Sequence, residues 1–136
     1  MSDKPIPHYA QDRRLALALF RAVQAAFDRW GWAITMSNRT PANQYGRLLG
    51  HCEEGARTVT LYVKNHAKND PLPRSLLHEQ LHAVLRFGDD GSQANIAEER
   101  HVLALERLLW PRLTEKQLGR LRRLLKEAEW EEEEAK

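Results

Sequence analysis

Residues 74–87 read RSLLHEQLHAVLRF, and the spacing of two histidines in this stretch governs how the rest of the chain is read. Leu77, Leu81 and Val84 recur at four- and three-residue steps and form an apolar stripe on one face of a helix, with His78, His82 and Leu85 beside it. Positions four apart on a helix lie one turn apart on the same side, so the two imidazoles can reach one metal ion. Glu79 stands about 100° further round, badly placed as a third ligand but well placed to touch a water on that metal. Histidines bordering a core are costly to bury without partners, and a metal satisfies both at once. With six His and thirteen Glu in the chain, chance would produce HExxH in roughly one such sequence in forty. Found inside an independently helical segment, the pattern reads as a metal site.

The chemistry follows from the donor types. Cys52 is the single cysteine, which excludes an internal disulfide and a thiolate cluster, so the ligands are His and carboxylate. Zinc is the expected ion, one per chain, held by His78 and His82. It lowers the pKa of a bound water toward about 7, and Glu79 as general base accepts that water's proton and passes it to a leaving amine. A third protein ligand is then required. The longer pattern with Gly and His after the second histidine fails, because Leu85 and Gly88 stand at those positions. Glu98, Glu99 and His101 lie in the next helical segment. Glu98 shares a stripe with Ala94, Val102, Leu105 and Leu109, whereas Glu99 aligns with Leu103, Glu106 and Trp110, a more mixed face. Glu98 is therefore preferred, with Glu99 and then His101 as alternatives.

Outward from this segment, Leu15, Leu19, Ala22, Val23, Ala26, Phe27 and Trp30 predict a first helix over 9–30, stopped by Gly31. Residues 32–36, 45–52 and 57–63 predict strands, the last two joined as a hairpin around Glu53-Glu54-Gly55 with Gly55 free to take positive φ. Residues 64–73 are a polar loop with two prolines. After the metal helix, Gly88 to Gly91 makes a turn, Ser92 caps a helix over 92–110, and Thr114 with Gln117 forms a capping box for a last helix to about residue 129. The expected fold is α+β: an N-terminal helix, a small three-stranded, mainly antiparallel sheet, the HExxH helix and two further helices. Residues 1–130 form one domain and 131–136 an acidic tail.

The 136 residues, 42% apolar and 29% charged, suit one globular domain, and no stretch has the roughly 20 apolar residues of a membrane span. The first residues lack the apolar core of a secretory signal, so a cytoplasmic location is expected. The net charge of +2 carries no inference about nucleic acid, although Arg120, Arg122, Arg123 and Lys126 form a local basic segment. Its plain reading is a solvated helix face.

The run Tyr45-Gly46-Arg47, then Cys52, the strand at 58–63, the segment from Leu76 to Ala83, and Ala97-Glu98-Glu99-Arg100-His101-Val102 resemble the small gluzincin-type, zincin-fold metallopeptidases that include ImmA/IrrE-like and related phage-encoded proteins. The resemblance spans roughly residues 10–110, and HExxH is its specific part. It implies two His and a downstream Glu on zinc, Glu79 as catalytic base, an edge strand that holds an extended substrate, and a protein or peptide substrate. Members of the ImmA branch act on repressors of mobile elements, which makes a repressor one candidate; the chain has Leu81 where that branch has Gly and carries no recognisable helix-turn-helix. SprT-like, DNA-associated peptidases are the competitor and would need His101 as third ligand. A zincin-fold binding module without turnover is the other alternative. His51, His66, Tyr45 and Tyr62 are secondary candidates for contacting an oxyanion. Cys52, Trp30, Trp32 and Trp110 are expected to pack.

Overall fold

A computed structural model describes residues 8–44, 46–85 and 92–131. The first helix, α1 (His8–Arg29), buries Ala16, Phe20, Val23 and Phe27 at the expected helical spacing, and Gly31 ends it at φ +72°. Leu15 and Trp30, expected on the same face, instead point outward, with Trp30 43% exposed. Trp32 stacks on Phe27 with ring centroids 6.0 Å apart.

Strand β1 (Ala33–Ser37) follows, then a separate antiparallel ribbon of β2 (Ala42–Asn43) and β3 (Gly46–Arg47). Next come β4 (Gly50–Glu53) and β5 (Thr58–Tyr62), paired antiparallel as the hairpin anticipated in the sequence. The predicted strand over 45–52 is thus split. Gly46 at φ +124° turns the chain, and Leu48 is then drawn aside, its N–H donating to Pro41 O and its carbonyl accepting from the Asn65 side chain. The hairpin's positive φ falls on Arg57, at +48°, rather than on Gly55. A left-handed non-glycine costs about 1 kcal/mol, and the Arg57 guanidinium offsets it by donating to Trp30 O at 2.6 Å.

The expected three-stranded, mainly antiparallel sheet is corrected to a mixed sheet of four strands. Its order is β4-β5-β1-β6, with β1 parallel to β5 and β6 (Glu129–Trp130) parallel to β1. The final helix, α4 (Glu115–Glu127), ends two residues earlier than expected because Ala128 turns to extended geometry, freeing the next residues to join the sheet. Its start is as predicted: Gln117 N–H donates to Thr114 Oγ1, and Thr114 N–H donates to Gln117 Oε1. Glu131 also belongs to the folded unit, since its N–H donates to Met36 O and its carboxylate accepts from Ser37 and Arg39. The tail from residue 132, Tyr45, and the turn at 88–91 lie outside the described residues.

The HExxH helix is α2 (Leu72–Val84), begun at Pro71 with Pro73 in its first turn, where a missing N–H costs nothing. It starts two residues before the expected 74 and ends at Val84 instead of residue 87, because Leu85 turns to extended geometry. Leu76, Leu77, Leu81 and Ala83 are fully buried, and α2 touches α1, α4, β4, β5 and the long helix α3 (Ser92–Leu109). A central helix surrounded this way is rigid, and truncating Leu81 to Ala should cost about 2–5 kcal/mol. Among the described residues no helix is long and apolar enough to cross a membrane.

Candidate metal centre

Helix α2 presents His78 and His82 on one side, their rings edge to face with centroids 4.9 Å apart. Each ring is held from behind by a carboxylate of α3. His78 Nδ1–H donates to Glu106 Oε1 at 2.7 Å, and His82 Nδ1–H donates to Glu98 Oε2 at 2.7 Å. With both Nδ1 atoms carrying hydrogen, Nε2 is the metal-facing nitrogen on each ring. Both Nε2 atoms converge on one carboxylate, Glu99, at 3.3 Å from His78 and 2.7 Å from His82. Glu98, the preferred third ligand in the sequence reading, therefore stands behind His82, and the group in front of both rings is Glu99.

Glu79 completes the cluster. Potential ligand atoms of His78, Glu79 and His82 lie within 4.8 Å of one another. The Glu79 side chain is 7% exposed, and its Oε2 is buried with no hydrogen-bond partner among the described residues. Gly50 on β4 lies directly against it: a Cβ built on Gly50 would come within 2.9 Å of Glu79 Cγ. These groups open into a cleft of about 1060 Å³, walled by α2 and α3 on one side and by the β2–β3 ribbon with residues 48–50 on the other. In the sheet order β4 is an edge strand.

The electrostatics follow from crowding four carboxylates around two imidazoles. Burial alone would lower His78, but hydrogen bonds to Glu106 and Glu99 outweigh it and raise the ring to about 10. In His82 burial is likewise outweighed, by Glu99 and Glu98, and the net direction is upward. Glu99 is held far below the carboxylate range by hydrogen bonds from His78 and His82. Burial pushes Glu106 up, yet His78 and Arg74 together bring it below its ordinary value. Glu79 alone moves upward, because burial disfavours its charge more than the two histidines favour it. The cluster thus draws in positive charge, which a divalent cation can supply in place of protons. Two imidazole nitrogens, one carboxylate in front of them and a partnerless buried carboxylate oxygen beside them form a donor set that fits zinc.

The remaining candidates fall elsewhere. His101 is exposed and donates Nδ1–H to Ala97 O of its own helix at 2.8 Å, and it does not line the cleft. His66 is a tie between elements: Nδ1–H donates to Tyr62 O at 2.9 Å and Nε2 meets Ser75 Oγ at 2.7 Å. His51 is exposed on β4. The Tyr62 ring is buried beneath the Arg39 guanidinium, 5.6 Å from its centroid. Glu106 and Arg74 were not anticipated, although Arg74 stands four residues before His78 and Glu106 seven after Glu99, spacings that place each in line with the site.

Comparison with known proteins returns no matching family model, no matching curated protein and no matching solved structure.

Proposed function

We propose that the protein is a metal-dependent hydrolase of the zincin type. Within that class we assign it as a zinc peptidase acting on a protein or peptide substrate. The observation that carries this reading is the convergence of both Nε2 atoms on Glu99 while separate carboxylates hold both Nδ1 atoms. A purely structural ion-pair cluster has no need to point the same nitrogen of each ring at a single carboxylate beside an open cleft.

His78, His82 and Glu99 would hold the ion, with Glu99 replacing Glu98 in that role. A bound zinc supplies a Lewis acid that brings the pKa of water toward about 7. Glu106 and Glu98 fix the ring orientations and tautomers. Glu79, buried and raised in pKa, accepts a proton from the attacking water and delivers it to the departing amine. The exposed edge of β4 beside the cleft suits an extended backbone.

Elemental analysis and Glu79→Gln test the proposal together. Purified protein should carry about one zinc per chain. The amide variant should keep the zinc and the fold, yet show at most about a hundredth of wild-type cleavage, because a general base contributes about 10²- to 10⁴-fold. The decisive readout is a protein fragment produced in cells or lysate by wild type and not by Glu79→Gln. Zinc-loaded protein that yields no such fragment would favour a binding module on the same fold.

A further inference from the structure

The cleft that opens onto the candidate metal centre is also lined by two guanidinium groups. Arg47 on β3 and Arg74 on α2 both line it, with the amides of Asn43 and Asn69. Arg74 donates Nε–H to Glu106 at 2.8 Å, and the other oxygen of Glu106 accepts from His78, so this guanidinium is two hydrogen bonds from a ligand of the centre. Its side chain is 39% exposed, and its Nη groups donate to no described residue. The Arg47 side chain has neither an ion pair nor a hydrogen bond with any described residue.

Of the cleft's carboxylates, only Glu106 pairs with either arginine. Glu99 faces the two imidazoles, Glu106 serves His78 and Arg74, Glu79 is buried, and Asp70 accepts from the Ala67 N–H at 3.4 Å. Leu48, Leu49 and Leu103 line the same space. Arg47 is exposed and carries no ion pair among the described residues, and the planar fork of a guanidinium matches a carboxylate bidentately.

We propose that the part of the cleft lined by Arg47 and Arg74 is a carboxylate subsite. The substrate carries an acidic side chain or a free chain terminus that docks on Arg47 and the Nη groups of Arg74, while the neighbouring peptide bond lies over the centre. What happens to the bound peptide rests on the peptidase reading; the binding does not.

The test uses zinc-loaded Glu79→Gln protein, so that nothing is cut. It is titrated by calorimetry or NMR with four N-acetylated hexapeptides, having Glu or Gln at a central position and a free acid or an amide at the C-terminus. The carboxylate-bearing peptides should bind about tenfold more tightly than the neutral one, the scale of a charge-assisted hydrogen bond. The advantage should shrink with salt. Whichever single-carboxylate peptide keeps it identifies side chain or chain end as the source. Arg47→Gln, an exposed change checked for unaltered zinc content and melting temperature, should abolish the advantage. Equal binding of all four peptides overturns the subsite, as does unchanged discrimination in Arg47→Gln. Acidic peptides that bind wild type in this order but are never cut would uphold the subsite and overturn the peptidase reading.

Discussion

Helix α2 buries polar groups on two opposite sides, and the two sides are built differently. Toward α1 it presents Gln80, which exchanges two hydrogen bonds with Gln24 at 2.6 and 3.1 Å, both residues nearly inaccessible to solvent. The pair satisfies itself, and Gln24 Oε1 also accepts from the Arg120 guanidinium of α4 at 3.3 Å. Toward α3 it presents His78, Glu79 and His82, where charge accumulates, several pKa values move far from their ordinary range, and Glu79 Oε2 has no partner among the described residues. A satisfied amide pair holds two helices in one register, whereas the charged cluster leaves a buried carboxylate oxygen for an added ligand to satisfy. Burial alone does not distinguish the two sides of α2; the charge gathered on one of them does.

The largest expected effects lie on the charged side. His78→Ala and His82→Ala should each abolish zinc binding, measured by elemental analysis after dialysis, and stoichiometric zinc in the double variant would remove the basis of the metal assignment. Next comes the order among the acids of α3. Glu99→Ala should weaken zinc binding by more than about 100-fold, whereas Glu98→Gln, which weakens the support of an Nδ1 atom, and Glu106→Gln, which weakens such support and the Arg74 ion pair, should cost about 10- to 100-fold. A competition titration with a chelator measures all three. Were Glu98→Gln to cost more than Glu99→Ala, the ligand assignment would return to Glu98.

On the side toward α1 the effect should be on stability and not on zinc. Gln80→Leu leaves the Gln24 Nε2–H buried without its acceptor and should cost about 1–3 kcal/mol in urea unfolding, while Gln24→Leu combined with Gln80→Leu, which gives up only the Arg120 contact besides, should recover most of the loss. Zinc content should stay at the wild-type level throughout. If the double variant loses zinc, the two sides of α2 are coupled and the contrast fails.

The smallest effect concerns Glu131, held below its ordinary pKa by hydrogen bonds from Arg39 and Ser37. A depressed carboxylate contributes stability above its unfolded pKa, and that contribution disappears as pH falls through the folded one. Glu131→Gln should therefore be less stable than wild type at pH 7, with the gap closing in acid below the ordinary glutamate value of 4.5. A gap of the same size at pH 3 would show that the contact acts by shape rather than charge.

The sequence made α2 readable because its two signals, apolar stripe and histidine spacing, share one period. It made the β4–β5 hairpin readable because both strands and their turn are contiguous. Helix α3 was harder. Its apolar stripe identifies the face toward the general core, but the wall of a polar cleft is itself polar, so hydrophobic periodicity placed Glu98 inward and left Glu99 one 100° step away on what looked like a mixed face. The run Glu99, Leu103, Glu106 was the better guide, since acids at helical spacing opposite two histidines mark the facing wall. Parallel pairing of β1 with β5 and β6 has no local signature at all. Two residues such as Glu129 and Trp130 become a strand only because Met36 and Thr35 are already in place to receive them.

Gly50 sets a clearance. The edge of the sheet approaches the buried carboxylate so closely that the hydrogen on its Cα occupies the last available space, and the smallest side chain would meet Glu79 Cγ, Leu61 and the Thr60 carbonyl together. Two of those obstacles, a core leucine and a backbone carbonyl, belong to β5 and cannot easily retreat, so an added methyl would be resolved by displacement of the carboxylate. The position of the proposed base is thereby gauged by a strand that contributes no functional group of its own, and the tolerance of that gauge is a single carbon atom.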